Sequence, residues 1–451
     1  MGHKWAPSDS LYGRLDLPPI VSKLATSDPL ILRLREVRMP NIPFVSYPSF
    51  AGVTRFEHSL GVAHLAWWWA KRNGLSRDEA EALALAGLYH DAASPAFSHL
   101  FEEFLSRNGF DHESALEDVL CARPSLHGGR HAQIFLGRAS SLRPELAKRQ
   151  GDAKLLSATG IAKLSRGEHA LGAAIHGEID LDNIDNVIRA VRSMGLENSL
   201  SYSTDPYAVA SALELDGGSL ALAPDSSNAV SNWKQLRRIL YGAIQGDERE
   251  FISQTTIKWS IEEAYKLDQA LHDPGAWTLT EPELVFQHLR MHSRSRELID
   301  RVRSGRLPEL VASAWIPDLS PLLGTESDLV TAELLDELSK LIRADVYINF
   351  YVDKRERKVT LPRSRSLTLF DDTSASHGAD DTNDAKAVSG KAGVLGIVST
   401  AIHDGRRSPP PSPDAIVACV TEVLSRCLGA EPTAVSRRWL GRWRESVTQR
   451  P

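Results

Sequence analysis

The sequence predicts a mainly α protein, with a large helical domain over residues 1–306 and a smaller mixed α+β lobe over 307–451. Three observations carry this. Apolar residues recur at helical spacing through most of the first domain, as at His58, Val62, Leu65 and Trp69. Period-two alternation is confined to short runs, at 212–222 and 346–352. Composition then shifts near residue 306, and 451 residues suffice for two cores.

The bulk chemistry excludes several classes. Hydrophobic content of 42% and charged content of 24% are those of a soluble globular chain. A net charge of −6 argues against a protein that coats nucleic acid. Three cysteines, at 121, 419 and 427, are too few and too scattered for a disulfide framework, so a reducing, cytoplasmic setting is expected. No apolar run approaches the ~20 residues of a membrane span. The start shows no signal peptide, and Ala6 stands where myristoylation needs Ser or Thr.

Pro18-Pro19 blocks early helix continuation, and Asp28-Pro29 opens a helix that runs towards Met39. Arg33 and Arg35 on it carry two readings, phosphate contacts or ion-paired arginines beside an apolar stripe. A helix begins at His58, and its Trp67-Trp-Trp69 run reads as packing rather than a ligand platform. Ser76-Arg-Asp-Glu79 forms a capping box for the next helix, which carries Ala80, Ala82, Ala84, Ala86 and Gly87. Such small residues let a central helix approach its neighbours closely. That helix ends at His90-Asp91, before Pro95. Helices restart at Phe97 and at Asp111-His112-Glu113.

From Leu181 an apolar stripe (Leu181, Ile184, Val187, Ile188, Val191) faces a polar one (Asp182, Asp185, Asn186, Arg189). Two carboxylates so close on one helix face repel unless a cation sits between them. A hairpin turns at Gly217-Gly218, and long helices follow at about 226–246 and 248–272. In the second lobe, Val346 to Val352 and Lys358 to Leu361 read as two strands joined by a charged turn. Asp371 to Lys391 reads as a flexible loop, Ser408 to Pro413 as a stiff linker, and 413–428 and 432–447 as closing helices.

The chemistry concentrates at His58, His90, Asp91 and Asp182. Imidazole and carboxylate together suit one divalent ion such as Mn, Fe, Ni, Co or Zn, with Mg also considered. Two further His-Asp pairs, His272-Asp273 and His403-Asp404, lack this context and read as surface dipeptides.

These motifs resemble the HD-domain phosphohydrolases, in particular the deoxynucleoside triphosphate triphosphohydrolase branch with its SAM-and-HD-domain and dGTPase-like members. The likeness runs through Asp9-Ser-Leu-Tyr-Gly13, Arg33-Leu-Arg35, Thr54-Arg-Phe-Glu-His-Ser-Leu-Gly-Val62, Ala86-Gly-Leu-Tyr-His-Asp91, Phe97-Ser-His-Leu-Phe101, His112-Glu113 and Asp180-Leu-Asp182. It implies a helical HD core with a smaller mixed lobe, commonly oligomeric. It implies His58, His90, Asp91 and Asp182 as metal ligands, Arg55 at a phosphate, His99 as general acid for the leaving oxygen, and His112 as a second active-site histidine. Substrate contacts implied are Arg33, Arg35, Asp185, Asn186, Arg189 and Tyr241.

The sequence also departs from the family pattern. Ser94 stands in place of a catalytic-site histidine. Asn183, Asn186 and Ala190 replace a lysine, a tyrosine and an aspartate, and Met39 replaces a glutamine. If Tyr241 aligns with the family's Tyr-x-His-Lys, Ala243 and Ile244 take the places of the histidine and lysine. The expectation is therefore a metal-dependent phosphohydrolase acting on a nucleotide or another phosphorylated small molecule, dNTP triphosphohydrolase-like. The alternatives are a phosphodiesterase on another nucleotide, and a non-catalytic metal- and nucleotide-binding module of a defence or regulatory assembly. Single-stranded nucleic acid binding through Lys354, Arg355, Arg357, Lys358, Arg363 and Arg365 is a less favoured reading than a solvated hairpin.

Overall fold

The computed structural model describes residues 5–40, 46–121, 145–146, 154–199, 205–322, 327–342, 345–352, 361, 393–399, 413–429, 432–436, 438 and 440. The fold is mainly α with a small mixed C-terminal part. The first of two compact units comprises Met1–Pro308 and Arg355–Pro362, and the second Glu309–Lys354 and Arg363–Pro451.

In the first unit, α1 (Pro19–Ser27) and α2 (Pro29–Arg33) both open on proline. Asp28 caps α2 through its side chain, and a 3-10 turn at Leu34–Glu36 ends the segment before the expected Met39. The central pair is α3 (Arg55–Arg72) and α4 (Arg77–Tyr89). Each starts in a complete capping box, Thr54 with Glu57 and Ser76 with Glu79, so reciprocal bonds satisfy two otherwise orphaned N–H groups. The alanines of α4 are buried, and a Cβ at Gly87 would come within 3.0 Å of the Ala63 nitrogen. The small residues thus set the α3–α4 spacing. Trp69 is fully buried and donates its indole N–H to the Leu213 carbonyl, while Trp67 and Trp68 are half-buried.

Around this pair lie α5 (His99–Leu105), α6 (His112–Leu120), α7 (Ala158–Ser165) and α8 (Leu181–Ser193). The hairpin is β1 (Leu213–Asp216) with β2 (Ser219–Leu222), in antiparallel register about Gly217 and Gly218, both at positive φ. Next come α9 (Ser227–Gly246) and α10 (Glu248–Tyr265). The second is shorter than expected, since a separate 3-10 turn covers Gln269–His272. The unit closes with α11 (Ser293–Arg303).

Among the described residues, the second unit contains an antiparallel sheet and two α-helices. Its strands are β3 (Glu309–Ile316), β4 (Val346–Val352), β5 (Gly393–Ser399) and β6 (Ala434–Ser436), in the order β4-β5-β3-β6. The helices α12 (Ser327–Ile342) and α13 (Pro413–Leu428) bury Leu334, Leu338, Val420 and Leu424 in one core with Leu395 and Ile397.

The described partner of β4 is β5, with Val346 opposite Ser399, and residues 394–399 are buried, the pattern of a central strand covered on both faces. Of the run Lys358–Leu361, expected to pair with β4, only Leu361 is among the described residues. The expected helix at 432–447 contains β6 instead, because Ala434–Ser436 completes the edge of β3. Residues 371–391, 408–412 and 441–447, and the basic side chains of 354–358, 363 and 365, lie outside the described residues. No helix among the described residues is long and apolar enough to cross a membrane.

Candidate metal centre

Three helix ends converge on one point. His58 lies in the first turn of α3, His90 and Asp91 follow the last turn of α4, and Asp182 lies in the first turn of α8. The His58 Nε2 is 2.9 Å from Asp182 Oδ1 and 3.2 Å from His90 Nε2. Asp91 Oδ2 lies 3.5 Å from His90 Nε2 and 4.0 Å from His58 Nε2. His58, His90 and Asp182 each direct one ligand atom into a single cluster.

The outer nitrogen of each ring shows why this donor set fits a cation. His90 Nδ1 donates to the Gly87 carbonyl at 2.8 Å, and His58 Nδ1 is 2.7 Å from Asp185 Oδ1. A carbonyl accepts only, so His90 Nδ1 carries a proton and Nε2 is the atom that faces inward. Asp185 imposes the same tautomer on His58. Two lone pairs and two carboxylates then face one another, an arrangement that a divalent ion relieves. Without an ion a proton takes that place. Burial alone would lower the His58 pKa, but hydrogen bonds to Asp182 and Asp185 raise it to about 10.

A second layer braces the first. Asp185 is wholly buried and accepts two bonds from Arg189, at 2.8 and 2.9 Å, while Arg189 reaches Asp9 at 2.8 Å. Arg189 is 2% exposed, so these two residues stand behind His58 and not on a substrate surface. A Cβ at Gly61 would lie 2.2 Å from Asp185 Oδ2, which explains the glycine in the Thr54–Gly61 motif. Asp91 pairs with the Arg55 guanidinium and accepts from Ser94 Oγ at 3.0 Å. Burial would raise its pKa, but Arg55, His90 and His58 hold it well below the usual carboxylate range. The Ser94 hydroxyl is thus a positioning group for Asp91.

A cavity of about 280 Å³ opens over this cluster. Arg55, His99, His112 and Asn186 line it together with His58, Asp91 and Asp182. Arg55 also donates to Ser98 Oγ at 3.0 Å. His99 and His112 flank Glu102, with their Nδ1 atoms 2.9 and 2.5 Å from its two oxygens. Burial opposes charge on both partners of the inner pair, yet hydrogen bonding raises the His112 pKa and holds Glu102 well below the carboxylate range.

The remaining sequence-derived candidates lie elsewhere. Arg33 is buried and donates to the carbonyls of Ala92, Ser94, Trp277 and Leu279. Arg35 lies over the Phe56 ring at 4.8 Å, and Tyr241 packs 4.5 Å from the Arg237 guanidinium. None of these three is a lining residue. Sequence reasoning missed Glu102 and His176, the latter also on the cavity wall. Glu102 carries a usable signal, being one helical turn from His99; His176 sits in irregular chain before α8 and offers none.

The family model for the HD domain matches residues 55–136. The chain is 30% identical over 117 residues to the "deoxynucleoside triphosphate triphosphohydrolase SAMHD1 homolog" of Dictyostelium discoideum, covering 24% of this chain and 22% of that protein. It is 30% identical over 102 residues to the human deoxynucleoside triphosphate triphosphohydrolase SAMHD1, covering 21% of this chain and 16% of the human one. An uncharacterized protein of Methanocaldococcus jannaschii is 29% identical over 167 residues, 36% of this chain and 33% of its own. The chain therefore spans less than a third of the length of the two named triphosphohydrolases.

Proposed function

We propose that the protein is a metal-dependent phosphohydrolase that cleaves a phosphate ester of a nucleotide. The observation that carries this is the inward convergence of two imidazole Nε2 atoms and two carboxylates beneath a cavity that also presents Arg55, His99 and His112. The HD-domain match over 55–136 supports it, and the printed names of the triphosphohydrolase relatives support a nucleotide.

His58, His90, Asp91 and Asp182 would hold the ion. A divalent ion bound there supplies Lewis-acid polarisation of a phosphoryl oxygen and lowers the pKa of a water. Arg55, held by Asp91 and Ser98, orients the phosphoryl group by its charge and its planar N–H fork. Glu102 accepts hydrogen bonds from the Nδ1–H groups of His99 and His112, which leaves their Nε2 atoms to exchange protons with the substrate. His99, at the exposed rim, delivers a proton to the leaving ester oxygen, and His112 keeps Glu102 ionised.

Metal-loaded protein incubated with deoxynucleotides and ribonucleotides should release nucleoside, and chelation should stop it. Asp182→Asn should lose both the ion and turnover. Asp185→Asn should weaken metal affinity by roughly 10–100-fold, since it disturbs both the His58 tautomer and the ion pair that holds Arg189 behind it. One ion bound per chain with no turnover of any nucleotide would refute the proposal.

A further inference from the structure

The buried layer behind His58 continues beyond Asp185 to the N-terminal segment of the chain. Arg189 on α8 lies between two carboxylates: its Nε and Nη2 donate to Asp185, and its Nη1 donates to Asp9 Oδ2 at 2.8 Å. The Arg189 and Asp9 side chains are 2% and 5% exposed, so solvent ions screen the pair little. An unbroken path of side-chain contacts therefore runs from Asp9 through Arg189 and Asp185 to the His58 ring.

Local sequence holds Asp9 in this place. Ser8 and Asp9 pair antiparallel with Arg14 and Gly13, and Gly13 supplies the positive φ of 70° that the turn requires. Asp9 Oδ1 accepts from the backbone N–H groups of Leu11 and Tyr12, at 2.7 and 3.1 Å. These bonds fix the carboxylate and leave Oδ2 for Arg189. Arg192, also on α8, donates to the Leu11 carbonyl at 3.1 Å, and the Tyr12 ring lies 5.9 Å from the Arg189 guanidinium. The turn is thus fastened to the helix that carries Asp182.

Charge gives Asp9 its effect on the ion. Arg189 alone would neutralise Asp185. The second carboxylate shares the guanidinium, so the three groups together keep one net negative charge behind His58. A carboxylate on the outer nitrogen of a ligating histidine fixes its tautomer and raises its basicity. Asp9 thereby leaves Asp185 freer to accept from His58 Nδ1, 2.7 Å away. Without the Asp9 charge, Arg189 draws Asp185 towards itself and leaves uncompensated positive charge behind a cation site.

We infer that Asp9 is a positioning residue of the metal centre, which acts through Arg189 and Asp185 to raise the affinity of His58 and its neighbouring ligands for the ion. This rests on the metal-dependent reading above. Asp9 is not among the described residues that line the cavity, so its effect falls on ion binding and not on substrate contact.

The test is Mn2+ binding to the full chain, stripped by chelation and titrated in a calorimeter without substrate. Asp9→Asn, of nearly equal size but uncharged, should weaken binding by about tenfold, the lower end of the range for groups outside the ligand shell. In an Asp185→Asn background the same change should cost little further, because the path is already cut. Arg189→Lys keeps a charge but loses the planar fork that spans two carboxylates, and it should reproduce the loss even where Asp9→Asn does not fold. In Zn2+-loaded protein the Nδ1–H proton resonance of His58, which reports the bond to Asp185 directly, should move in Asp9→Asn. Unchanged affinity in both single variants, or an equal loss with and without Asp185, would overturn the inference while leaving the phosphohydrolase reading standing. A wild-type chain that binds no ion would overturn both.

Discussion

Glu102 shows how much chemistry a single carboxylate can organise. It binds His112 and His99 at once, with a bond to each Nδ1. Its depressed pKa contributes stability that is present above the unfolded value of about 4.3 and lost as pH falls through the folded one. The raised pKa of His112 contributes in the opposite sense, fully below about 6.5 and lost as pH rises through its folded value. The pair is therefore at full strength between these limits. Glu102→Gln removes the acceptor charge, and burial then lowers His112. The alkaline limb of the kcat profile should move to lower pH by roughly one unit or more, the size of a lost neighbouring charge. An NMR titration of the His112 ring checks the cause; an unmoved ring pKa would refute it.

Among the described elements, the turn between α4 and α5 is strained. Phe97 and Ser98 adopt φ of 52° and 49°, a region side chains rarely occupy. The turn bends this sharply between Asp91 and His99, which line one cavity. Arg33 is the clamp, since its guanidinium donates to the Ala92 carbonyl at 3.1 Å and the Ser94 carbonyl at 2.6 Å from α2. Arg33→Met leaves these buried carbonyls without donors. The expected loss is about 1–3 kcal/mol for each buried group left unsatisfied, read from urea unfolding. Stability unchanged from wild type would mean that the clamp contributes nothing.

At the scale of the molecule, the metal ligands join helices far apart in sequence, α3, α4 and α8, while the second unit has its own core. An ion that binds only the folded first unit stabilises it by mass action, about 4 kcal/mol at a concentration 1,000 times Kd. Calorimetry should then show two transitions, with chelation lowering one and leaving the other in place. Two transitions lowered equally would mean that the units melt as one.

The sequence by itself determined the helical class, the capping boxes, the small-residue helix and the candidate ligands His58, His90, Asp91 and Asp182. These are local statements, made by spacing and residue type within a few turns of chain. The tertiary structure alone decided the rest. A polar stripe reads the same whether it faces water, a cavity or a buried partner, so Asp182 and Asn186 could not be told from Asp185 and Arg189 until α3 lay against α8. Arg33 could be read either as a phosphate contact or as a packed arginine, because its carbonyl partners lie as many as 246 residues away. The pairing of β4 with β5 crosses 40 intervening residues, and no turn between adjacent runs announces it. Burial and long-range pairing depend on the whole fold, and they separate the groups that could touch a substrate from those that hold the site in shape.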